Sequence, residues 1–174
     1  MNKPKLIIIA GLPGSGKSTV AEGLAAKLSI PHFSVDPIES AILKSGLQRS
    51  FETGLAAYLV AETLAGEHLK LGLSAIIDSV SGVQEARDMW HGLVSVHNAM
   101  LIIIECVLER EAHKQRIEAR IRNMYGFAEV SWEDVENRRE TYLPWQEERL
   151  VLDTASSHEE NVKRALEYIR LREI

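Results

Sequence analysis

Residues 11–18 read Gly-Leu-Pro-Gly-Ser-Gly-Lys-Ser, directly after the aliphatic run of residues 5–10. This is the Walker A pattern GxxxxGK(S/T), placed between a buried strand and a helix as its chemistry requires. Glycines let successive backbone N–H groups turn inward around an anion with no Cβ in the way, and the following helix adds the positive end of its dipole. Lys17 is expected to reach the β- and γ-phosphates, and the Ser18 hydroxyl to complete the shell of a Mg²⁺ ion. Gly11, Pro13, Gly14, Ser15, Gly16, Lys17, Ser18 and Thr19 are therefore expected to surround a nucleoside triphosphate, taken to be ATP.

Phosphoryl transfer also needs a metal, a group that orients or deprotonates the attacking hydroxyl, and cations for the equatorial oxygens. Asp78 ends the apolar run Ala75-Ile76-Ile77, the form of a Walker B strand, and would hold Mg²⁺ through water or touch the substrate. Its competing role is to cap the following turn. Asp36 follows a second strand, where an acceptor facing the γ-phosphate would meet the sheet edge as its hydroxyl loses a proton to a general base. Equally, Asp36 before Pro37 makes a good helix N-cap. Arg116 and Arg120 stand four residues apart, with His113 one turn earlier, so on a continuous helix they share a face and could clamp the transferring group. Pairing with Glu109, Glu111 and Glu118 on a solvated face is the alternative, and Arg122 points elsewhere on that helix. Asp153 reads as structural. Trp132, Tyr142, Pro144 and Trp145 read more as packing than as ligand walls.

These residues need a frame of strands alternating with helices. Apolar periodicity predicts strands over 5–10, 32–35, 74–78, 100–107 and 149–153, and helices over 18–28, 37–44, 51–71, 84–96 and 158–172. Ser156 or Ser157 is the expected cap of the last helix. The pattern implies one α/β domain over residues 1–174, with five parallel strands, helices on both faces, and ligands at the carboxyl ends of the strands. The charged segment 109–145 is expected to be a helical lid, hinged or closed by the stretch around Tyr125, Gly126 and Phe127.

Composition narrows the partners. A chain of 174 residues with 45% apolar content fits one domain with a substantial core. No apolar run approaches the ~20 residues of a membrane span, and the start of the chain lacks signal-peptide character, which points to the cytoplasm. Cys106 closes the apolar run 100–104 and reads as a buried thiol. Net charge is −5, and the eight basic residues between Arg110 and Arg149 are mixed with acids, which argues against a nucleic-acid partner. No HExxH or multi-thiolate pattern calls for zinc.

With Gly11–Thr19, Val35-Asp36, Ile76-Ile77-Asp78 and Arg116/Arg120 in view, the chain resembles the P-loop kinases grouped with zeta toxins, polynucleotide 5′-kinases and chloramphenicol phosphotransferases. The resemblance spans nearly the whole length and implies a three-layer P-loop NTPase fold with strand order 2-3-1-4-5. The segment from Ser34 to Ala41 looks like the one that carries the catalytic aspartate of the chloramphenicol phosphotransferase-like enzymes. This implies Asp36 as base, Lys17 and Ser18 on ATP·Mg²⁺, and Arg116 and Arg120 as lid arginines. Polynucleotide kinases of the group carry an arginine three residues after that aspartate; here the position is Glu39, which would repel a substrate phosphate. The expected activity is transfer of the γ-phosphate to a hydroxyl of a small molecule. A polynucleotide 5′-hydroxyl kinase and a slowly hydrolysing NTP switch are the alternatives, and the oligomeric state is left open.

Overall fold

A computed structural model describes residues 3–172; residues 1, 2, 173 and 174, and with the first two part of the stretch read for signal-peptide character, lie outside the described residues. Five parallel strands form one sheet: β1 (Lys5–Ala10), β2 (His32–Ser34), β3 (Ala75–Asp78), β4 (Met100–Val107) and β5 (Leu150–Asp153). Their spatial order is β2-β3-β1-β4-β5, the order implied by the resemblance. In register, Ile8 of β1 lies opposite Ile77 on one side and Ile103 on the other. β1 is flanked by strands and covered by helices on both faces, so it needs no polar alternation; Leu6 to Ala10 are all fully buried.

The strand pleat divides the core in two. Leu6, Ile8, Ile77 and Ile103 face one layer, packed on α3 (Phe51–Lys70) and α4 (Gln84–Val96) through Ala57, Ala61, Ala65, Trp90 and Leu93. Ile7, Ile9, Ile76, Ile102 and Ile104 face the other, packed on α1 (Lys17–Leu28) and α7 (His158–Leu171). Alanines every fourth residue let α3 lie close to the sheet at the cost of side-chain area. Ser157 Oγ accepts from the amide of Glu160 and caps α7, as the sequence predicts. Cys106 is buried in this second layer, and burial pushes its thiol up to about 12, which removes thiolate chemistry at neutral pH.

The sequence places the start of the second helix two residues too late. Helix α2 runs Val35–Leu43, starting immediately after β2, with Ser34 at the N-cap position. Asp36 therefore lies inside the first turn, and the cap reading of this residue is overturned. Ser34 does not cap with its side chain, because its hydroxyl donates to Asp78 Oδ2 at 3.0 Å. Pro37 is tolerated because first-turn amides have no intrahelical acceptor.

The segment predicted as a lid contains α5 (Arg110–Ala119) and α6 (Trp132–Thr141), joined by irregular chain. Helix α5 stops at Ala119, and Arg120 has extended backbone, so the shared helix face expected for Arg116 and Arg120 does not exist. Among the described residues, no helix is long and apolar enough to cross a membrane.

Candidate functional site

At the carboxyl ends of the strands the chain leaves a cavity of about 350 Å³, and it is lined by Pro13, Gly14, Gly16, Lys17, Ser18, Thr19, Ser34, Asp36, Asp78, Arg116 and Arg120. Nearly every residue expected to do chemistry converges there. Gly11 and Ser15 line instead a smaller neighbouring pocket on the back of the loop.

The glycine loop is shaped by backbone that L side chains avoid, with φ of +139° at Gly11, +77° at Gly14 and +90° at Gly16. Its surroundings leave no slack. A Cβ on Gly11 would come within 2.3 Å of the Cys106 carbonyl oxygen, and one on Gly14 within 2.4 Å of Ile117 Cδ1 of α5. Gly16 is the N-cap of α1 and offers no side chain to the first-turn amides, which leaves them for an anion. Lys17 is buried, and its Nζ donates to the Leu12 carbonyl at 3.0 Å, folded back over the loop.

Three groups outside the motif hold the loop in shape. Thr154, after β5, donates from Oγ1 to the Ser15 carbonyl at 2.7 Å. Arg116 in turn grips Thr154, Nη1 to Oγ1 at 3.1 Å and Nη2 to the carbonyl at 3.0 Å. From α5, buried His113 meets the Pro13 carbonyl through Nε2 at 2.7 Å, while Arg139 approaches Nδ1 at 3.4 Å. A carbonyl only accepts and a guanidinium only donates, so the imidazole is neutral with its proton on Nε2. Burial, with Arg139, Arg116 and Lys17 nearby, holds the His113 pKa below its ordinary value of 6.5. The unfolded chain thus binds this proton more readily, so the contribution of neutral His113 is complete above pH 6.5 and is lost as pH falls through the lowered folded value. Melting temperature should drop through that range, and His113→Gln, which keeps one donor and one acceptor, should flatten the drop. Equal slopes in both proteins would refute this linkage.

Asp78 is buried at the end of β3. Burial pushes its carboxyl up, but the nearby His32 imidazole, the Lys17 charge and the Ser18 and Ser34 hydroxyls outweigh it and keep the group below its usual value. Asp78 is therefore a carboxylate beside the Ser18 hydroxyl, an all-oxygen donor pair of the hard kind that suits Mg²⁺ with water completing the shell. Its side chain is turned to Ser34, Ser18 and His32, with the Lys17 charge nearby, instead of capping the following turn. Asp153, by contrast, accepts from the Ala155 amide and lies outside the cavity, a turn-forming role.

Asp36 Oδ2 accepts from Arg122 Nη1 at 2.8 Å, and the carboxylate remains 44% exposed toward the cavity. Arg122 is the residue that helical periodicity sets aside; the end of α5 at Ala119 is what lets it turn in. Arg120 is half-buried beside it, and its guanidinium is made slightly more acidic by burial and by the Arg122 charge.

Two further arginines reach the cavity without any motif to announce them, Arg49 from the α2–α3 connection and Arg138 from α6. Phe127 also lines the cavity, its ring centre 4.2 Å from the Arg49 guanidinium. Glu39 does not face the cavity. It is buried, accepts from Thr53 Oγ1 at 3.0 Å and lies 3.6 Å from Arg49 Nε, so its expected repulsion of a substrate phosphate is spent on a neighbouring cation. The aromatics of the 132–145 segment are packing residues: Trp132 stacks edge-on against His113, and Trp145 and Tyr142 flank the buried Arg87.

Solved structures share this fold. A "putative kinase" from Chloroflexus aurantiacus superposes with a TM-score of 0.79 at 25% identity, over 95% of this chain and 98% of that one. A gluconokinase from Sinorhizobium meliloti gives 0.69 at 19% identity over 99% and 95%. The APS kinase of Mycobacterium tuberculosis in complex with AMPPNP and APS gives 0.71 at 16% identity over 98% and 99%. The latter two show the fold alone. Among curated proteins, an adenylate kinase from Agathobacter rectalis is 50% identical over 42 residues, which are 24% of this chain and 20% of that enzyme. A family model described as "AAA domain" matches residues 6–144, a span that includes the glycine loop, Asp36, Asp78 and all five arginines of the cavity. The chain has the P-loop kinase fold and belongs to the AAA domain family.

Proposed function

We propose that the chain is an ATP-dependent phosphotransferase that moves the γ-phosphate to a hydroxyl of a small molecule. The observation that carries this reading is the opening of Lys17, Asp78 and a half-exposed Asp36 into one cavity lined by arginines. A switch protein has no use for a carboxylate presented at the acceptor side; a kinase does.

In this reading the triphosphate lies along the glycine loop and the α1 amides, with Lys17 leaving the Leu12 carbonyl for the β- and γ-phosphates. Ser18 and Asp78 would hold Mg²⁺, which neutralises charge on the phosphates. Asp36, held through Oδ2 by Arg122, keeps Oδ1 for the acceptor hydroxyl: it orients the oxygen and receives its proton. Arg116, preset by Thr154, and Arg120 face the transferring group, where fixed cations stabilise spreading charge without reorganising. Segment 109–145 acts as the lid. The position of Asp36 just after β2 supports the grouping with zeta toxins, polynucleotide kinases and chloramphenicol phosphotransferases.

The test has two parts. AMPPNP with Mg²⁺ at about 100 times its dissociation constant should stabilise the protein by about 2.7 kcal/mol, and Lys17→Met should abolish most of that gain. A screen of hydroxylated small molecules with radiolabelled ATP should then find an acceptor that takes up label. Salt-sensitive labelling of 5′-hydroxyl oligonucleotides alone would overturn the small-molecule reading. Nucleotide binding that is unaffected by Lys17→Met would overturn the site itself.

A further inference from the structure

We infer that the acceptor carries an anionic group, a carboxylate or a phosphate, held by Arg49 and Arg138 against the Phe127 ring. This inference rests on the phosphotransferase reading and names the class of its substrate.

The cavity is lined by more cationic charge than a nucleotide uses. Lys17 and five arginines face it against only two carboxylates, Asp36 and Asp78. Asp36 is neutralised by Arg122, and magnesium-bound triphosphate brings about two negative charges for Lys17, Arg116 and Arg120. Arg49 and Arg138 remain. Arg49 has Glu39 at 3.6 Å, beyond hydrogen-bond distance, Arg138 forms no ion pair within 4 Å among the described residues, and the two share the more distant charge of exposed Asp134. Guanidiniums gathered at one cavity repel each other unless an anion joins them.

Their place in the fold sets the ligand. The glycine loop and residues 154–161 after β5 form the nucleotide end of the cavity. Asp36 and Arg49 instead follow β2, at the opposite edge of the sheet. Arg138 joins Arg49 there: both line the one cavity with Asp36 and Phe127, and both lie close enough to Asp134 to feel its charge. An acceptor whose hydroxyl meets Asp36 would therefore present its far end to Arg49 and Arg138. The forked donors of two guanidiniums fit a carboxylate or phosphate, and Phe127 gives the neighbouring carbon skeleton an apolar wall. Glu39 is folded away on Thr53, so the acidic group that both arginines share is Asp134, against which an incoming anion would compete.

The experiment is calorimetric titration of the full chain, saturated with AMPPNP and Mg²⁺, with inorganic phosphate and separately with malonate at constant ionic strength. Saturation blocks the glycine loop, so the second anion must find another site. Expected is binding of at least one of them at a single site, weakened about tenfold or more in Arg49→Gln/Arg138→Gln, since hydrogen bonds between charged groups are the strong ones. AMPPNP affinity should be unchanged in the variant. Preference for phosphate assigns a phosphorylated acceptor, and preference for malonate a carboxylated one. No binding of either anion, or equal binding by the variant, overturns the proposal. The single replacements are measured alongside, with melting curves, so that a misfolded double variant is recognised and replaced. Failure of AMPPNP itself to bind would instead overturn the phosphotransferase reading, and the two failures are thus distinct.

Discussion

Asp36→Asn is expected to lower phosphoryl transfer by about 10²–10⁴-fold while leaving AMPPNP binding intact. Asparagine is nearly the same size and its carbonyl still accepts from Arg122 Nη1, so the first turn of α2 and the cavity wall should persist. What is lost is the negative charge and the capacity to take the proton of the acceptor hydroxyl. Because the residue is not an N-cap, its replacement should also cost little stability. That combination separates the roles. A cap would show a melting-temperature loss with normal turnover; an acceptor base shows the reverse. The measurement is turnover with the acceptor found by the labelling screen, beside nucleotide affinity and a melting curve. Turnover within about threefold of wild type would remove Asp36 from the mechanism.

The largest stability effect is expected at Arg87, which no motif singles out. It is among the largest fully buried side chains, yet it has no carboxylate partner among the described residues. Its charge is met by dipoles and rings. Nε donates to the Ser81 carbonyl at 3.0 Å and Nη1 to the Pro144 carbonyl at 2.9 Å, while Nη2 donates to the Leu143 carbonyl. The guanidinium lies 4.0 Å from the Trp145 ring centre. One side chain on α4 thus ties the turn after β3, beside Asp78, to the segment that returns from α6 to β5. Arg87→Met keeps the aliphatic bulk and leaves these carbonyls without a donor. At about 1–3 kcal/mol for each unsatisfied group, partly relieved by water, a loss of about 3 kcal/mol is expected. For a chain of this size that is a fall in melting temperature of about 6–12 °C. Arg87→Lys should rescue only part of it, since one ammonium cannot span the same three acceptors. A shift below about 2 °C in Arg87→Met would show that the segment is held by other contacts.

The sequence determined the frame because the signals that set it are local. A doubly covered parallel strand is a continuous apolar run, and a glycine loop needs its residues consecutive, so β1, β4, α4 and the phosphate cradle are legible at their observed places. Asp78 is legible for the same reason, as the polar end of the buried run Ala75–Asp78. The reading failed where side chains from distant segments compete for one another. Whether Asp36 caps α2 or opens into the cavity was decided by Ser34, which takes the N-cap position while its hydroxyl goes to Asp78. Whether Arg120 and Arg122 continue a helix was decided by the end of α5 at Ala119, after which Arg122 turns to Asp36 across 86 residues of sequence. Glu39 reads as a repulsive charge until Thr53 and Arg49 are seen to absorb it. Periodicity and motif spacing report what a residue does within a few turns of chain; ion pairs and buried polar bonds form between segments, and only the folded chain brings those together. The sequence alone thus determined a nucleotide cradle on a parallel sheet. The tertiary structure decided that Asp36 opens into the cavity instead of capping α2, and that arginines rather than Glu39 line the wall around it.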